Sequence, residues 1–417
     1  MNFDIHEEIK LVEKEIVNWR HELHKIPEIG YELQKTVSYI TKQLDEMVIP
    51  YTTMCDGSGI VALINPGCEK VLALRADIDA LPITEKTGFE YASTHPGKMH
   101  ACGHDFHTAS LLGTAKILKK HESELKGTVK LIFQCNEEGA GGTCGAKRMI
   151  EEGVLENPKV DSILGMHVAS IDKLPGGSVF YKVGPAMASN DKFYIKLIGQ
   201  GAHGSTPHEA IDPISMACHV VQDLHTLRAM EIDTLSPAVI TVGTLRAGDG
   251  AFNVIPGYAE IIGTVRTFDN TLRPYIKERI ENIVKAAAAA HNGHYEFQYD
   301  FVCSALCPTN TETQNLVAAA QKCLGPQSVI CFPAPIMGSE DFAEYLQEIP
   351  GTFFYLNAPA KIDGICYPAH SSKFALGEEF FSSLRIKHDK LKLRCNRRNC
   401  SRCGCPVPHG RPPYISR

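Results

Sequence analysis

The segment KMHACGHDFH, residues 98–107, places one thiol, three imidazoles and one carboxylate within ten positions. Cys102 and His104, two residues apart, have side chains that suit two kinds of chemistry. Thiolate and imidazole are both zinc ligands. A cysteine beside a histidine can instead act as a nucleophile with its base, provided that a third group orients the histidine. The segment alone does not distinguish a metal site from a nucleophilic cysteine with its base.

Three other segments place acids or histidines at the ends of predicted strands, and a fourth places a histidine in a turn near the C-terminal part. Each has an ordinary structural explanation when taken alone: a turn or helix cap, a solvated loop, or a satisfied core histidine. In an open α/β sheet, however, ligands bind beyond the carboxyl ends of the strands, where separate segments converge. The residues concerned are Asp77 and Asp79 in LRADIDALP, Glu137 and Glu138 in NEEG, His167 in GMHV, and His370 in YPAHSSKF.

Metal binding explains why residues of these types occur together in several segments, although each segment has a structural explanation when taken alone. The five candidate ligands are Cys102, His104, Glu138, His167 and His370. Five protein ligands exceed the four of one tetrahedral ion, so the set suggests two neighbouring ions with one shared ligand, a role that a thiolate can fill. Consecutive residues after a strand point to opposite sides. Glu138 can therefore face a metal while Glu137 accepts a proton from attacking water.

The elements that would position these residues alternate between strands and helices. A first helix, with Ile9, Val12, Ile16 and Leu23 at helical spacing, ends before Pro27. Buried strands separated by helices predict a sheet between helical layers. The predicted strands cover 59–65, 70–76, 127–135 and 162–168, and the predicted helices cover 107–125 and 144–152.

The pattern changes after about residue 184, where the strands alternate between apolar and polar residues. Alternation indicates one solvated face, so this section is predicted to form an open sheet covered on one side by two helices. The strands are predicted at 192–201, 238–248 and 259–268, and the helices at 213–230 and 270–292. A helix over 311–324 and an apolar strand over 351–357 then return to the first pattern.

These patterns predict three regions in the chain of 417 residues. Residues 1–184 plus 299–386 form a catalytic metal-binding domain, and residues 185–298 an inserted lid and dimerisation domain. Residues 387–417 are a divergent tail rich in cysteine and arginine. The spacing of Cys395, Cys400, Cys403 and Cys405 matches no common zinc pattern, so a small metal knuckle there is the less favoured alternative.

Composition excludes several classes of protein. A formal net charge of −6 gives no reason to expect nucleic acid or an anionic membrane as a partner. No apolar run reaches the roughly 20 residues of a membrane span, and the acidic, amphipathic N-terminus is unlike a signal peptide. The odd count of 15 cysteines favours reduced thiols. We therefore expect a cytoplasmic protein.

Nine ordered motifs between about residues 20 and 375 carry a family resemblance. They are RHELHKIPEIGYEL, LRADIDALPI, MHACGHDFHTASLLG, FQCNEEGAGG, GMHV, GQGAHGSTPHEAIDPI, FNVIPG, GTVRTF and GSEDF. The sequence resembles the hippurate-hydrolase-like N-acyl-amino-acid amidohydrolases, within the dinuclear metallo-aminoacylase and carboxypeptidase superfamily. Two features depart from that pattern. Cys135 and Asn136 stand where the family usually has proline and a small residue, and the family's C-terminal helix is replaced from about Lys387.

The resemblance implies an α/β fold: a zinc-exopeptidase-like catalytic domain, whose mixed sheet is flanked by helices, with an inserted α+β open-sheet domain. It implies the same five metal ligands, Cys102, His104, Glu138, His167 and His370, with Glu137 as general base. Asp77 would orient the site, with Asp79 as a weaker candidate. His203 would stabilise the substrate carbonyl, often from a neighbouring subunit. Asn253 and Arg266 would bind the substrate's carboxylate.

The expected activity is metal-dependent hydrolysis of the amide bond of N-acyl amino acids, of the hippurate or N-acetyl kind, releasing a carboxylate and a free amino acid. Two divalent ions per subunit are expected, zinc being favoured over manganese or nickel, in a homodimer or homotetramer. The alternatives are a dipeptidase or carboxypeptidase of the same superfamily, a cysteine hydrolase using Cys102 and His104, and a non-catalytic binding protein. No motif identifies the acyl group.

Overall fold

The computed structural model describes residues 3–139 and 143–381. The prediction made for the tail at 387–417 therefore lies outside the described residues. None of the described helices has an apolar stretch long enough to cross a bilayer. The helices in the described part of the chain are α1 (Ile5–His24), α2 (Gln34–Glu46), α3 (His104–Lys120), α4 (Gly145–Glu151), α5 (Pro213–Met230), α6 (Leu272–Ala290), α7 (Asn310–Leu324) and α8 (Phe342–Glu348).

The larger sheet of the described residues has eight strands and mixed direction. Its strands are β1 (Tyr51–Met54), β2 (Gly59–Ile64), β3 (Val71–Asp77), β4 (Thr128–Gln134), β5 (Ser162–Ala169), β6 (Val179–Tyr181), β13 (Val329–Cys331) and β14 (Gly351–Asn357). They lie in the order β1-β2-β4-β3-β5-β14-β6-β13. The central strands β4, β3, β5 and β14 run parallel to one another. Their carboxyl ends therefore meet at one edge of the sheet.

A second sheet is formed entirely by strands between residues 190 and 303. Its order is β12 (His294–Cys303), β7 (Asn190–Ile198), β11 (Tyr258–Thr267) and β9 (Ala238–Ala247), all antiparallel. Helices α5 and α6 cover one face, and their buried apolar residues form a core with those of the strands. A short ribbon pairs β8 (Ala202–His203) with β10 (Val254–Ile255).

The structure confirms the expected fold class, a mixed sheet flanked by helices with an open-sheet α+β insertion. Several elements were not predicted from the sequence, among them β12, an edge strand of the second sheet. The first eight residues of β12, HYEFQYDF, alternate polar side chains with aromatic ones, which is a strand signal. Helix α3 also begins at His104, three residues earlier than predicted, and ends at Lys120.

Helices α1 and α3 pack closely against each other on one side of the larger sheet. Gly113 on α3 makes this possible, because a Cβ atom at that position would lie 2.4 Å from Ile16 Cδ1 on α1. Val12 and Ile16 are buried in the same core as Leu112 and Ala109. This contact brings the last turn of α1 next to the first turn of α3, where two of the candidate metal ligands lie.

Candidate metal centre

The five candidate ligands come from four segments that end at the same edge of the larger sheet. Cys102 and His104 flank Gly103 at the start of α3. Glu138 follows β4, and His167 lies near the end of β5. His370 lies in the loop after β14, and its backbone N–H donates to the Ala101 carbonyl at 2.8 Å. This bond ties the last ligand segment to the first.

Gly103 is required for the sharp turn between the first two ligands. Its φ is +92°, in the left-handed region that glycine adopts without strain. A Cβ atom there would also lie 2.5 Å from Val168 Cγ1, on the strand that carries His167. The sequence C-G-H therefore lets two ligands face the site while the backbone packs directly on β5.

The donor atoms of these side chains lie close enough to share cations. Cys102 Sγ lies 3.3 Å from His167 Nε2, and His370 Nε2 lies 3.4 Å from Glu138 Oε1. His104 Nε2 lies 3.9 Å from Glu138 Oε1. Two overlapping groups have all their donor atoms within 4.8 Å of one another, and both contain Cys102: Cys102, His104 and His167, and Cys102, Glu138 and His370. This is the arrangement that a bridging thiolate between two ions needs.

Buried atoms without hydrogen bonds show that the residues fit a metal. His104 Nε2 and Glu138 Oε1 are buried and have no hydrogen-bond partner among the described residues. Leaving such atoms unsatisfied costs about 1–3 kcal/mol each, so buried orphans in a native protein point to a missing ligand. Both atoms face the same cluster, and both belong to groups of the types that divalent transition metals bind.

Hydrogen bonds from Nδ1 fix the orientation of two of the imidazoles and leave the Nε2 nitrogen of each as the atom that can bind a metal. The Nδ1–H of His104 donates to the Asp79 carbonyl at 2.9 Å, and the Nδ1–H of His167 donates to the Val168 carbonyl at 2.6 Å. A histidine whose Nδ1 donates to a carbonyl presents Nε2 as the ligand atom, oriented in advance. The backbone thus prepares both rings for metal binding.

Asp79 has more contacts with the site than the sequence suggested. Its two carboxylate oxygens accept the backbone N–H groups of Glu137 and Glu138 at 3.1 and 3.2 Å. Its Oδ1 also lies 3.4 Å from His104 Nδ1. Asp79 therefore fixes the turn that carries the glutamate pair as well as a ligand ring. The short sequence D-I-D gives no sign of which carboxylate does this.

Asp77, the favoured orienting residue, chiefly contacts a histidine that the sequence reading did not select. Its Oδ1 accepts the Nδ1–H of His107 at 2.5 Å, while His107 Nε2 accepts the Val168 N–H at 2.8 Å. Asp77 Oδ2 lies 3.7 Å from His104 Nε2 and accepts a hydrogen bond from Arg75 at 2.7 Å. His107 thus links α3 to β5 through Asp77. Core packing alone would also explain a histidine at the buried position of His107.

Two buried carboxylates, those of Glu340 and Asp341, lie beside the proposed base Glu137. Glu137, Glu340 and Asp341 have oxygens within 4.8 Å of one another. Arg75, which is fully buried, pairs with Glu340 at 3.0 Å and with Asp341 at 2.7 Å. Burial raises the pKa of Glu137 well above its usual range, and the charges of Glu340, Glu138 and Asp341 raise it further. A carboxylate in these surroundings binds a proton readily.

The thiol of Cys102 lacks the environment of a catalytic nucleophile. Burial raises its pKa, and the negative charge of Glu138 adds to the shift. Burial lowers the pKa of His167, the imidazole beside it, to about 3. Reactive cysteines need a lowered pKa and an effective base. The raised pKa of the Cys102 thiol therefore does not favour the cysteine hydrolase alternative.

The three remaining candidates lie in the second sheet and its ribbon. His203 is exposed, and its Nδ1 accepts the Ser205 backbone N–H at 3.1 Å. Asn253 is exposed beside it, since its carbonyl accepts the Gly204 N–H at 2.7 Å. Arg266 is half-buried on the face of the sheet opposite α5 and α6. None of these contacts reaches the cluster that contains Cys102.

Comparison with known proteins agrees with the site. The model of Peptidase family M20/M25/M40 matches residues 73–382. An N-acyl-L-amino acid amidohydrolase of Geobacillus stearothermophilus is 41% identical over 295 residues, 70% of this chain and 77% of the relative. Thermostable carboxypeptidase 1 of Saccharolobus solfataricus is 35% identical over 402 residues, 94% of this chain and 99% of the relative.

A solved structure is similar over most of the chain. It is the YXEP protein of Bacillus subtilis, described as a dinuclear metal-binding peptidase of the M20 family. It has a TM-score of 0.74 and 34% sequence identity, and the match covers 90% of this chain and 96% of that one. The resemblance read from the nine motifs is confirmed. The chain is a metal-dependent hydrolase of amide C–N bonds and belongs to Peptidase family M20/M25/M40.

Proposed function

We propose that this enzyme hydrolyses the amide bond of N-acyl amino acids and releases a carboxylate and a free amino acid. The observation that carries the proposal is the pair of donor groups that share Cys102, one adding two imidazoles (His104 and His167) and the other a carboxylate and an imidazole (Glu138 and His370). The Glu137 carboxylate lies beside them, close to His104 and Glu138. The similarity to an N-acyl-L-amino acid amidohydrolase gives the substrate class.

Two divalent ions would be held by Cys102, His104, Glu138, His167 and His370, among which Cys102 belongs to both donor groups. Zinc is the favoured ion, and manganese and nickel suit the same donors. When bound, such ions lower the pKa of water from about 15.7 toward about 7 and polarise a carbonyl oxygen. The side chains of this protein then have to position the substrate and move protons.

Glu137 would serve as the general base and then as the general acid. It lies 3.8 Å from His104 Nε2, is 10% exposed, and is held by its backbone N–H on Asp79. From this position it would take a proton from the attacking water and return it to the departing amine nitrogen. Transfer of this kind contributes about 10²–10⁴-fold to rate. The raised pKa of Glu137 favours the first of these transfers, which is the uptake of a proton from water.

His203 would donate a hydrogen bond to the substrate's carbonyl oxygen as negative charge develops there. Because Nδ1 accepts the Ser205 N–H, the ring carries its proton on Nε2 and presents a donor to solvent. In the described part of the chain, the hydrogen bonds of the His203 imidazole are to Ser205, two residues further along the same loop. We infer that it acts on the site of a second subunit.

The surface around His203 supports such a dimer. Val254, which pairs with His203 on the short ribbon, is 56% exposed, and Phe252, two residues before it in the chain, is fully exposed. Apolar side chains this exposed on a paired ribbon are characteristic of a protein interface. In a two-fold dimer the same patch is used twice, so each subunit would receive one His203 from its partner.

An anionic substrate fits the charge of the site. Two dications bring +4, whereas the Cys102 thiolate and the Glu138 carboxylate bring −2, with the histidines neutral. The free carboxylate of an N-acyl amino acid would complement the remaining positive charge. Asn253 and Arg266 are the candidates for gripping that carboxylate, since Arg266 is a half-buried cation on the open face of the second sheet.

Chelation and reconstitution test this proposal. Metal-depleted enzyme should not hydrolyse N-acetyl, N-benzoyl or longer N-acyl amino acids, and adding zinc, manganese or nickel should restore hydrolysis. Hydrolysis that persists after the metal has been removed would instead support the cysteine hydrolase. Dipeptides assayed alongside separate the amidohydrolase from a dipeptidase or carboxypeptidase. If dipeptides were the better substrates by kcat/KM, the proposed substrate class would be wrong.

A further inference from the structure

We propose that Arg20, His24 and Asp105 form a buried clamp that positions the two segments carrying Cys102, His104 and His370. None of the three is a proposed metal ligand, so they are positioning residues. The inference deepens the proposed function, because it rests on the ligand set named above. It assigns a role to the motif RHELHKIPE, residues 20–28, which no step of the reaction uses.

Asp105 is the point at which α1 holds the start of α3. Its Oδ2 accepts two hydrogen bonds, from Arg20 Nε at 3.1 Å and from His24 Nδ1–H at 2.9 Å. Asp105 directly follows His104 and is 1% exposed. Any movement of this carboxylate would move the first turn of α3, and with it two ligands.

Arg20 also reaches the segment that follows His370. Its Nη1 nitrogen donates to the Leu376 carbonyl at 3.2 Å and to Glu378 Oε1 at 3.0 Å. One guanidinium therefore joins two stretches of chain that are more than 250 residues apart in sequence, residues 102–105 and 370–378. The backbone bond from His370 to Ala101 joins the same two stretches from the other side.

The clamp is rigid because it is packed as well as hydrogen-bonded. Arg20 is 1% exposed and lies between two rings, 5.8 Å from the centre of Tyr91 and 5.7 Å from that of Phe106. Phe106 in turn stacks on Phe381 at 3.8 Å. The close approach of α1 and α3 at Gly113 sets the depth at which Arg20 enters.

His24 completes the balance of charge. It bridges Asp105 and Glu85, since its Nε2 lies 3.2 Å from Glu85 Oε1. Burial lowers the pKa of His24, but Asp105 and Glu85 outweigh burial and raise it to about 9. The buried cations Arg20 and His24 thus face the buried carboxylates of Asp105 and Glu85 and the partly exposed carboxylate of Glu378. Such buried pairs set geometry more than they add stability.

Lysine cannot replace Arg20 in this role. The guanidinium uses separate N–H groups in fixed directions to hold Asp105 and the Leu376–Glu378 segment at once, and its plane faces two aromatic rings. A lysine keeps the charge but has a single ammonium group without that fixed fork. Arg20→Lys therefore tests the geometry of the clamp while conserving its charge.

A matched control is available in the second sheet. Arg273 is 6% exposed and pairs with the fully buried Asp191 at 2.6 Å, in the core that α6 forms with that sheet. Arg273→Lys makes the same chemical change in a buried arginine–aspartate pair. It leaves α1, α3 and the loop of His370 unaltered. General loosening of the fold would affect both variants.

The experiment measures Zn²⁺ affinity by competition with a chromophoric chelator, and the Co²⁺ absorption spectrum, in the full chain. Wild-type protein should bind two ions, with a thiolate-to-cobalt band from Cys102. Arg20→Lys should bind at least one ion about 10–100-fold more weakly, with a shifted cobalt spectrum. Arg273→Lys should match the wild type in both measurements. Where Arg20→Lys does not fold, Asp105→Asn and its control Asp191→Asn take their place.

Two results would overturn the clamp. One is unchanged affinity and spectrum in Arg20→Lys, and the other is an equal loss in both arginine variants. If wild-type protein binds no ion, the proposed ligand set is wrong and the clamp is wrong with it. The wild-type titration therefore separates failure of the proposed function from failure of this inference.

Discussion

Replacing Glu137 by glutamine is expected to remove activity and increase stability together. The side chain keeps its size and can keep its backbone contact with Asp79. It loses the ability to take up a proton, and it loses a negative charge from a crowded site. The two effects have the same structural origin, because the carboxylate that reacts with water is buried among other carboxylates.

The geometry gives the size of each effect. The oxygens of Glu137, Glu340 and Asp341 lie within 4.8 Å of one another. Two unit charges at that upper limit repel by about 3 kcal/mol at an effective dielectric constant of about 20. Arg75 offsets part of this repulsion, and proton uptake relieves more. We therefore expect the free energy of unfolding to rise by about 0.5–2 kcal/mol. Loss of the general base should lower kcat about 10²–10⁴-fold.

Three measurements on Glu137→Gln test the reasoning. Denaturant unfolding of metal-depleted protein at pH 8 reports stability, a metal titration reports whether two ions still bind, and kcat reports the chemistry. Glu138→Gln is the control, since it alters a proposed ligand and should weaken metal binding. A Glu137→Gln protein that is less stable than the wild type, or that retains more than a tenth of kcat, would refute the assignment.

Three further predictions follow from the same site. Burial raises the pKa of Glu340 from 4.5 to about 7 and that of Asp341 from 3.8 to about 6. The stability that their protonated forms contribute is full below about pH 4 and is lost as pH rises through 6 and 7. In metal-depleted Glu340→Gln, unfolding free energy should therefore fall less between pH 5 and pH 8 than in the wild type; an identical fall would contradict this. If His203 acts across subunits, mixing inactive Glu137→Gln and His203→Ala chains should restore about a quarter of wild-type activity through mixed dimers, whereas no recovery would place His203 in its own site. Arg266→Met should raise KM for N-acyl amino acids and leave KM for their carboxamides unchanged; equal KM changes would remove Arg266 from carboxylate binding.

The proposed ligand set could be selected from the sequence because residues of metal-binding types coincide with strand ends. Glu138 and His167 end buried strands, and Cys102 and His104 precede a helix, so the rule for parallel sheets brings them together. His370 could not be placed in this way. It follows no predicted strand directly, and its residue type, not its position in the predicted sheet, made it a candidate before the family pattern supported it. The structure holds it at positive φ with its N–H on Ala101, a contact with no local sequence signal.

The residues that support the site were harder to identify from the sequence, because their roles depend on contacts between distant segments. Asp77 and Asp79 are two residues apart and of the same type, yet one pairs with His107 and Arg75 while the other holds the Glu137 turn. Arg20 lies on a helix whose apolar spacing predicts core packing, so its buried charge is invisible to that pattern. Such choices follow from tertiary packing and not from propensity.

Two buried arginines divide the support of the site between them. Arg75, on β3, holds the carboxylates that surround Glu137, whereas Arg20, on α1, holds the segments that carry the ligands. An arginine stays charged even in a dry interior, so neither support can be lost by deprotonation. Proton transfer and metal affinity should therefore be separable by mutation. Changes around Arg75 should alter kcat and its pH dependence, and changes around Arg20 should alter the binding of the ions.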